Sequence, residues 1–245
     1  MQYNTLRTSY RLGTLLAAIF GLGWSIAIGV TLGVWLPQLW GVEALFYEEA
    51  EQFLPFVANN LVSWRIFHVG TTAALLAILP LITHLSHLHP DEYKRPFLQT
   101  IGLTGGAAAL LASLIDQFST PYLAQIGAGN IPIGMHVWEA VEPFRDAGLK
   151  TISFLLLGVW LIWLAGGWEE LAEKRPRQIS RLTGWAIALL GLIELLVPLP
   201  WKNTVGETGV AGLVLLLLPV WGFVMAHWFW QQELALYDTA ESHHN

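Results

Sequence analysis

The 245 residues include no cysteine, which excludes disulfide scaffolds, thiolate-bound metals, iron–sulfur clusters, covalently attached c-type haem and a cysteine nucleophile. Charge is scarce as well. Only 12% of residues are Asp, Glu, Lys or Arg, about half the share with which a soluble domain solvates its surface. Basic residues are the scarcer sign, 12 against 18 acidic, and a net charge of −6 argues against nucleic acid as a partner. No G-x-x-x-x-G-K-[ST] loop is present to cradle phosphates, and no lysine lies in mid-span to carry retinal. What remains is apolar: 54% of residues are hydrophobic, 13 are Trp, and the mean hydropathy is +0.51.

A bilayer core of about 30 Å needs roughly 20 apolar residues of helix, because backbone polar groups left unpaired in lipid are costly. Six stretches meet or nearly meet that length, at 12–35, 61–83, 98–118, 146–167, 180–199 and 208–230. They predict an all-α fold, a single polytopic membrane helix bundle over residues 1–245. The apolar run from Leu12 to Trp35 is too long for a signal-peptide core of about 7–15 residues and reads as a retained anchor.

An even number of spans puts both termini on one side of the membrane. Arg7, Arg11, Lys94, Arg95, Lys174, Arg175, Arg177 and Arg181 all fall there, eight of the twelve basic residues, which predicts that this side is cytoplasmic in a bacterial inner membrane. The opposite loops hold Lys202 with Glu43, Glu48, Glu49, Glu51 and Glu207.

Between the spans, 42–57 sets Leu45, Phe46, Phe53, Leu54 and Phe56 among four Glu, the pattern of an interfacial amphipathic segment. Pro37 and Pro55 bracket it as helix stops. The Gly-rich run from Pro121 to Pro132 reads as a loop, and the polar tail after Gln231 as a frayed end. Leu103-Thr104-Gly105 and Leu182-Thr183-Gly184 suggest a hairpin repeat of 79 residues that also aligns Asp116 with the neighbour of Glu194. Small residues four apart, at Gly13/Ala17, Gly21/Ser25, Gly29/Gly33 and Gly105/Ala109, read as helix-packing faces. Trp35, Trp40, Trp64, Trp138 and Trp201 at one edge, and Trp168, Trp185, Trp228 and Trp230 at the other, read as interfacial belts.

Ionisable groups in or beside a span are costly and are therefore functional candidates. Counting depth along the spans brings Arg65, His68, Asp116, His136, Glu139, Glu142, Arg145, Asp146 and Glu194 to one side of the membrane. Residues 136, 139, 142, 146 and 150 follow steps of three and four and would share one helical face, with Pro143 as an interruption. Together these residues predict a polar, acidic pocket at the outer boundary for a small ligand, a cation or a lipid headgroup. The competing structural reading is a set of salt bridges anchoring helix ends.

His136, Glu139 and Glu142 also form an oxygen–nitrogen set suited to a divalent metal. A second histidine group, His84 and His87 with His89 beside them and His227 on the last span, is the other metal candidate, against solvated histidines at a helix end. Haem b would need facing histidines, His68 with His136 or His84 or His87 with His227. No cofactor is expected.

The stretches "RDAGLKTISFLLLGVWLIWL", "PRQISRLTGWAIALLGLIELL" and "LLLLPVWGFVMAHWFW", the first two joined by a basic loop, resemble a family of small bacterial six-helix membrane proteins known only as a domain of unknown function. The resemblance covers about the last hundred residues by motif and the whole chain by topology. It implies an architecture and brings no activity. The function expected is non-enzymatic binding or accessory work, with membrane lipid, a small molecule or other membrane subunits as partners. The alternatives are an accessory subunit of a larger respiratory or photosynthetic complex, a metal-dependent membrane enzyme using His136, Glu139 and Glu142, and a small transporter. The apolar middle of the spans disfavours the last, because ion-coupled carriers place ionisable sites at the midplane.

Overall fold

The computed structural model describes residues 2–39, 50–129, 131–168, 174–196 and 205–242, with the side chains of 2–4, 50, 128–129, 131, 146–147, 205–208 and 237–242 outside the description. All regular structure among the described residues is helical. Helix α1 (Gln2–Val30) runs through a π turn at Thr31–Trp35 into one further α turn, Leu36–Leu39. It is followed by α2 (Ala50–Asn59), α3 (Leu61–His87), α4 (Arg95–Gly129) and α5 (Ile131–Glu142). A π segment, Pro143–Lys150, then joins α5 to α6 (Thr151–Gly167), and α7 (Lys174–Leu196) and α8 (Val205–Ser242) complete the chain. Six helical runs are long and apolar enough to cross a membrane: Thr5–Leu39, Leu61–His87, Arg95–Gly127, Pro132–Gly167, Lys174–Leu196 and Gly209–Leu236.

The six crossing helices form a closed ring in chain order: α1, α3, α4, α6, α7 and α8 each pack on the next, and α8 returns to α1. Aromatic side chains fill the ring's interior. Trp160 and Trp221, both 1% exposed, meet edge-on with centroids 6.4 Å apart. Trp160 Nε1 donates to Ser86 Oγ at 3.3 Å, and Trp221 Nε1 to Ser180 Oγ at 2.9 Å, so the buried indoles keep their hydrogen bonds.

Lipid offers no hydrophobic gain for helix association, so close van der Waals approach must hold the ring. At the α1–α3 crossing, a Cβ on Gly70 would lie 2.7 Å from the Gly23 carbonyl oxygen, and at α6–α7 a Cβ on Gly158 would lie 2.6 Å from the Ala188 nitrogen. Of the four small-residue faces, those of Gly13, Gly21 and Gly105 meet Phe229, Phe223 and Leu156 of other helices, whereas Gly29 and Gly33 meet nothing within 4 Å. Gly105 and Gly184, from the two Leu-Thr-Gly copies, both press on α6.

Several loops expected from the sequence are helix. Pro121–Pro132 is not a loop: α4 continues through Pro121 to Gly129, and α5 begins at Ile131. Its glycines serve a helix crossing, with a Cβ on Gly134 placed 3.0 Å from Gly127 Cα. Pro37 and Pro55 lie within helical turns rather than ending them. Of the amphipathic segment 42–57, residues 42–49 lie outside the description and the rest is α2. The tail after Gln231 is helical to Ser242, and Glu233, 7% exposed, is gripped by Arg11 at 2.5 Å and Arg7 at 3.4 Å, which fastens α8 to α1.

The tryptophan belts also need correction. Trp35, Trp64 and Trp138 are buried under α2, and Trp168 and Trp228 are buried against each other, so among the described belt residues Trp185 and Trp230 alone keep the exposure a belt requires. Trp40 and Trp201 lie outside the described residues.

Candidate functional site

At 35 residues, α4 is about 52 Å long at about 1.5 Å per residue, well beyond a hydrocarbon core of about 30 Å. Its excess, with α5 and the short α2, builds a cap at the end of the ring away from the basic loops. Phe53, Leu54 and Val57 of α2 close onto Leu123 and Ala124 of α4 and Trp138 of α5. Phe53 lies 4.9 Å from Trp138 and 5.6 Å from Trp64 between ring centroids. The π turn in α1 delivers its one buried residue, Trp35, to the same cluster, where Trp35 Nε1 donates to Ser63 Oγ at 2.9 Å.

Next to this aromatic cap lies a polar cluster supplied by three elements. From α3 comes His68, 3% exposed, its ring wrapped by Trp64 at 4.8 Å and Phe67 at 5.1 Å. From α4 comes Asp116, with Thr120 one turn on. The π segment supplies Arg145, 6% exposed. Arg145 Nη1 donates to Asp116 Oδ1 at 2.6 Å, and Thr120 Oγ1 donates to the same oxygen at 2.5 Å. The guanidinium lies over Trp138, 4.7 Å from the ring centroid, and its Nη2 is 4.0 Å from Glu142 Oε1.

The other Asp116 oxygen, Oδ2, faces His68 Nε2 at 3.4 Å. That approach is close enough for charge interaction but lacks hydrogen-bond alignment. Both ring nitrogens of His68, and Trp64 Nε1 beside it, are buried with no hydrogen-bond partner. Unsatisfied groups of this kind are rare in native interiors and mark water, ion or ligand positions. Deeper between α3 and α4 the polar pairing continues. Thr71 and Ser113 hydroxyls are 3.4 Å apart, and Thr72 Oγ1 donates to Gln117 Oε1 at 2.9 Å.

Of the expected site residues, the structure thus brings together His68, Asp116, Arg145 and Glu142. The helical face expected for 136, 139, 142, 146 and 150 does not form as one stripe. From Pro143 the chain is wound with i to i+5 bonds, about one extra residue per turn, which turns Arg145 inward. His136 and Glu139 pair with each other at 3.5 Å, 81% and 62% exposed, away from the buried cluster. Arg65 is exposed on α3, and Glu194 is half-buried near the end of α7, a helix that packs on the π segment. The side chain of Asp146 lies outside the described residues.

Thr120, Trp138, Thr71, Thr72, Ser113 and Gln117 were missed by reading ionisable groups alone. For Thr72, Ser113, Gln117 and Thr120 the signal is the four-residue spacing of polar positions within apolar runs, 68/72, 113/117 and 116/120.

The second histidine group disperses. His84 reaches Ser9 Oγ at 3.2 Å and packs on Phe229, while His87 bonds the Thr83 carbonyl and is exposed. His227 is exposed beside Trp230. His89 is not solvated: it is 2% exposed, and its ring fills the space that a side chain at Gly167 would need. Among the described residues no three His, Asp or Glu side chains are grouped to hold a metal ion. Compared with protein-family models, curated proteins and solved structures, the chain matches none.

Proposed function

We propose that the chain is an integral membrane protein of non-enzymatic binding or accessory type, with its basic end in the cytoplasm of a bacterium. In this reading the Asp116–Arg145–His68 cluster takes a small cationic ligand, an inorganic cation or the ammonium of a lipid headgroup, at the outer boundary. One observation carries the proposal: a buried imidazole with no hydrogen bond stands beside a carboxylate oxygen that Arg145 does not use. The Oδ2 oxygen of Asp116, which Arg145 leaves unused, favours a cation or a hydrogen-bond donor.

The test is native mass spectrometry and thermal unfolding of the protein in mild detergent, with ethanolamine, choline and divalent cations as probes. Wild type should gain an adduct and unfold at a higher temperature, and Asp116→Asn should lose both responses. The proposal fails if no probe raises the unfolding temperature while His68→Phe makes the bare chain more stable, since His68 would then be only a filler of the aromatic cap.

A further inference from the structure

At the basic end an open groove of about 520 Å³ runs between the first turn of α7 and the late turns of α8, lined by Lys174, Arg175, Phe223, His227, Trp228 and Gln231 among others. Of the other cations at this end, Arg7 and Arg11 have Glu233, Lys94 has Asp91 and Arg95 has Glu92. Lys174 and Arg175 are exposed and have no carboxylate partner among the described residues. Beneath them Trp228, 5% exposed, packs on Trp168 with ring centroids 5.2 Å apart and forms the groove's floor. The groove therefore carries two positive charges and no carboxylate among its described lining residues, so an anion with several oxygens complements it.

The groove also continues into the apolar surface. Leu216, Val220, Phe223 and His227 recur at steps of four, three and four on one face of α8, and the first three are 57%, 46% and 42% exposed. A free phosphate ester has no use for that stripe, whereas an acyl chain lies along it. We infer that this groove is a binding site for an anionic phospholipid, with the phosphate held by Lys174 and Arg175 and an acyl chain laid along Phe223, Val220 and Leu216. Basic pockets between helices at a membrane surface recognise headgroups through these same forces.

The experiment uses the full chain, purified in mild detergent and delipidated, titrated by native mass spectrometry with phosphatidylglycerol and phosphatidylcholine of identical acyl chains. Two unpaired cations predict a preference for phosphatidylglycerol of about 30-fold. Lys174→Gln/Arg175→Gln should reduce it to about 3-fold or less, while Lys94→Gln, at a cation already paired, leaves it in place. Diffuse surface charge would not distinguish these positions, so an unaltered preference in Lys174→Gln/Arg175→Gln overturns the site. Equal affinity for the two lipids in wild type also overturns it. Displacement of the lipid by an equal concentration of glycerol phosphate would overturn the lipid assignment in favour of a free phosphate ester.

Discussion

At the basic end Glu233 stands between Arg7 and Arg11, whereas at the far end Asp116 shares Arg145 with Glu142. The charge ratio is inverted, two cations to one acid against one cation to two acids. Solvation is inverted too. The side chains of Arg7 and Arg11 are 31% and 60% exposed and can turn to water, while that of Arg145 is 8% exposed, held between a carboxylate and an indole. An exposed pair is a fastening of small value. A buried one is costly to break, because its partner is left charged in a medium that cannot solvate it. The same residue types thus clip two helices together at one end and shape a recessed polar site at the other.

The comparison breaks most severely through the aromatic cap. Trp138 is 2% exposed, packs on Phe53 and carries Arg145 over its face. Trp138→Ala should cost about 4 kcal/mol of unfolding free energy through the cavity it opens, read by denaturant titration in detergent. Trp185→Ala, at a position 59% exposed, should change the same titration by about 0.5 kcal/mol or less.

Arg145→Met comes next. It strands Asp116, whose side chain is 22% exposed, so the loss falls at the low end of the range for a broken buried pair, about 3 kcal/mol. Adding Asp116→Asn should recover most of it. If the double variant is no better than Arg145→Met, the two residues are not an energetic pair.

At the basic end, Glu233→Gln should cost only about 1 kcal/mol, since both arginines rehydrate. The sharper readout there is faster amide exchange in the last turns of α8, the segment that Glu233 fastens. A loss as large as that of Arg145→Met would erase the contrast between the ends.

The smallest effect concerns Asp91 in the loop between α3 and α4. The hydrogen bond from the Lys94 side chain holds its carboxyl below the usual carboxylate range, only partly opposed by desolvation. A depressed carboxyl favours the folded chain above its ordinary value of about 4 and loses that contribution as pH falls through the folded value. NMR titration of Lys94→Gln should therefore show Asp91 protonating at higher pH than in wild type, with the fold unchanged.

Much of this contrast is legible in the chain. The six apolar runs can be counted, the basic residues gather at alternate loops, and depth counting puts His68, Asp116 and Arg145 at one level. The identity of Arg145's partner is not legible. Step-of-three-and-four logic ties it to Glu142, which does lie 4.0 Å from Nη2, but not to Asp116 on α4, which the π winding after Pro143 brings it to meet. His136 and Glu139 satisfy the same spacing rule and end up exposed, because spacing orients a face without saying what covers it. Glu233 lies in a polar tail by composition and in an ion pair with α1 by structure, since its two partners are 226 and 222 residues away in sequence.

By itself the sequence determined that the chain is helical, with six runs long and apolar enough to cross a membrane, because runs of about 20 apolar residues have no other way to satisfy their backbone in lipid. Tertiary structure alone decided that the helices close into a ring filled by Trp160 and Trp221, that α2 and the ends of α4 and α5 form a cap, and that Asp116 meets Arg145 and His68. Hydropathy is a local property of the chain. Which indole is buried and which carboxylate is paired depends on contacts between helices far apart in sequence, whose closeness is set by glycines and small residues at their crossings.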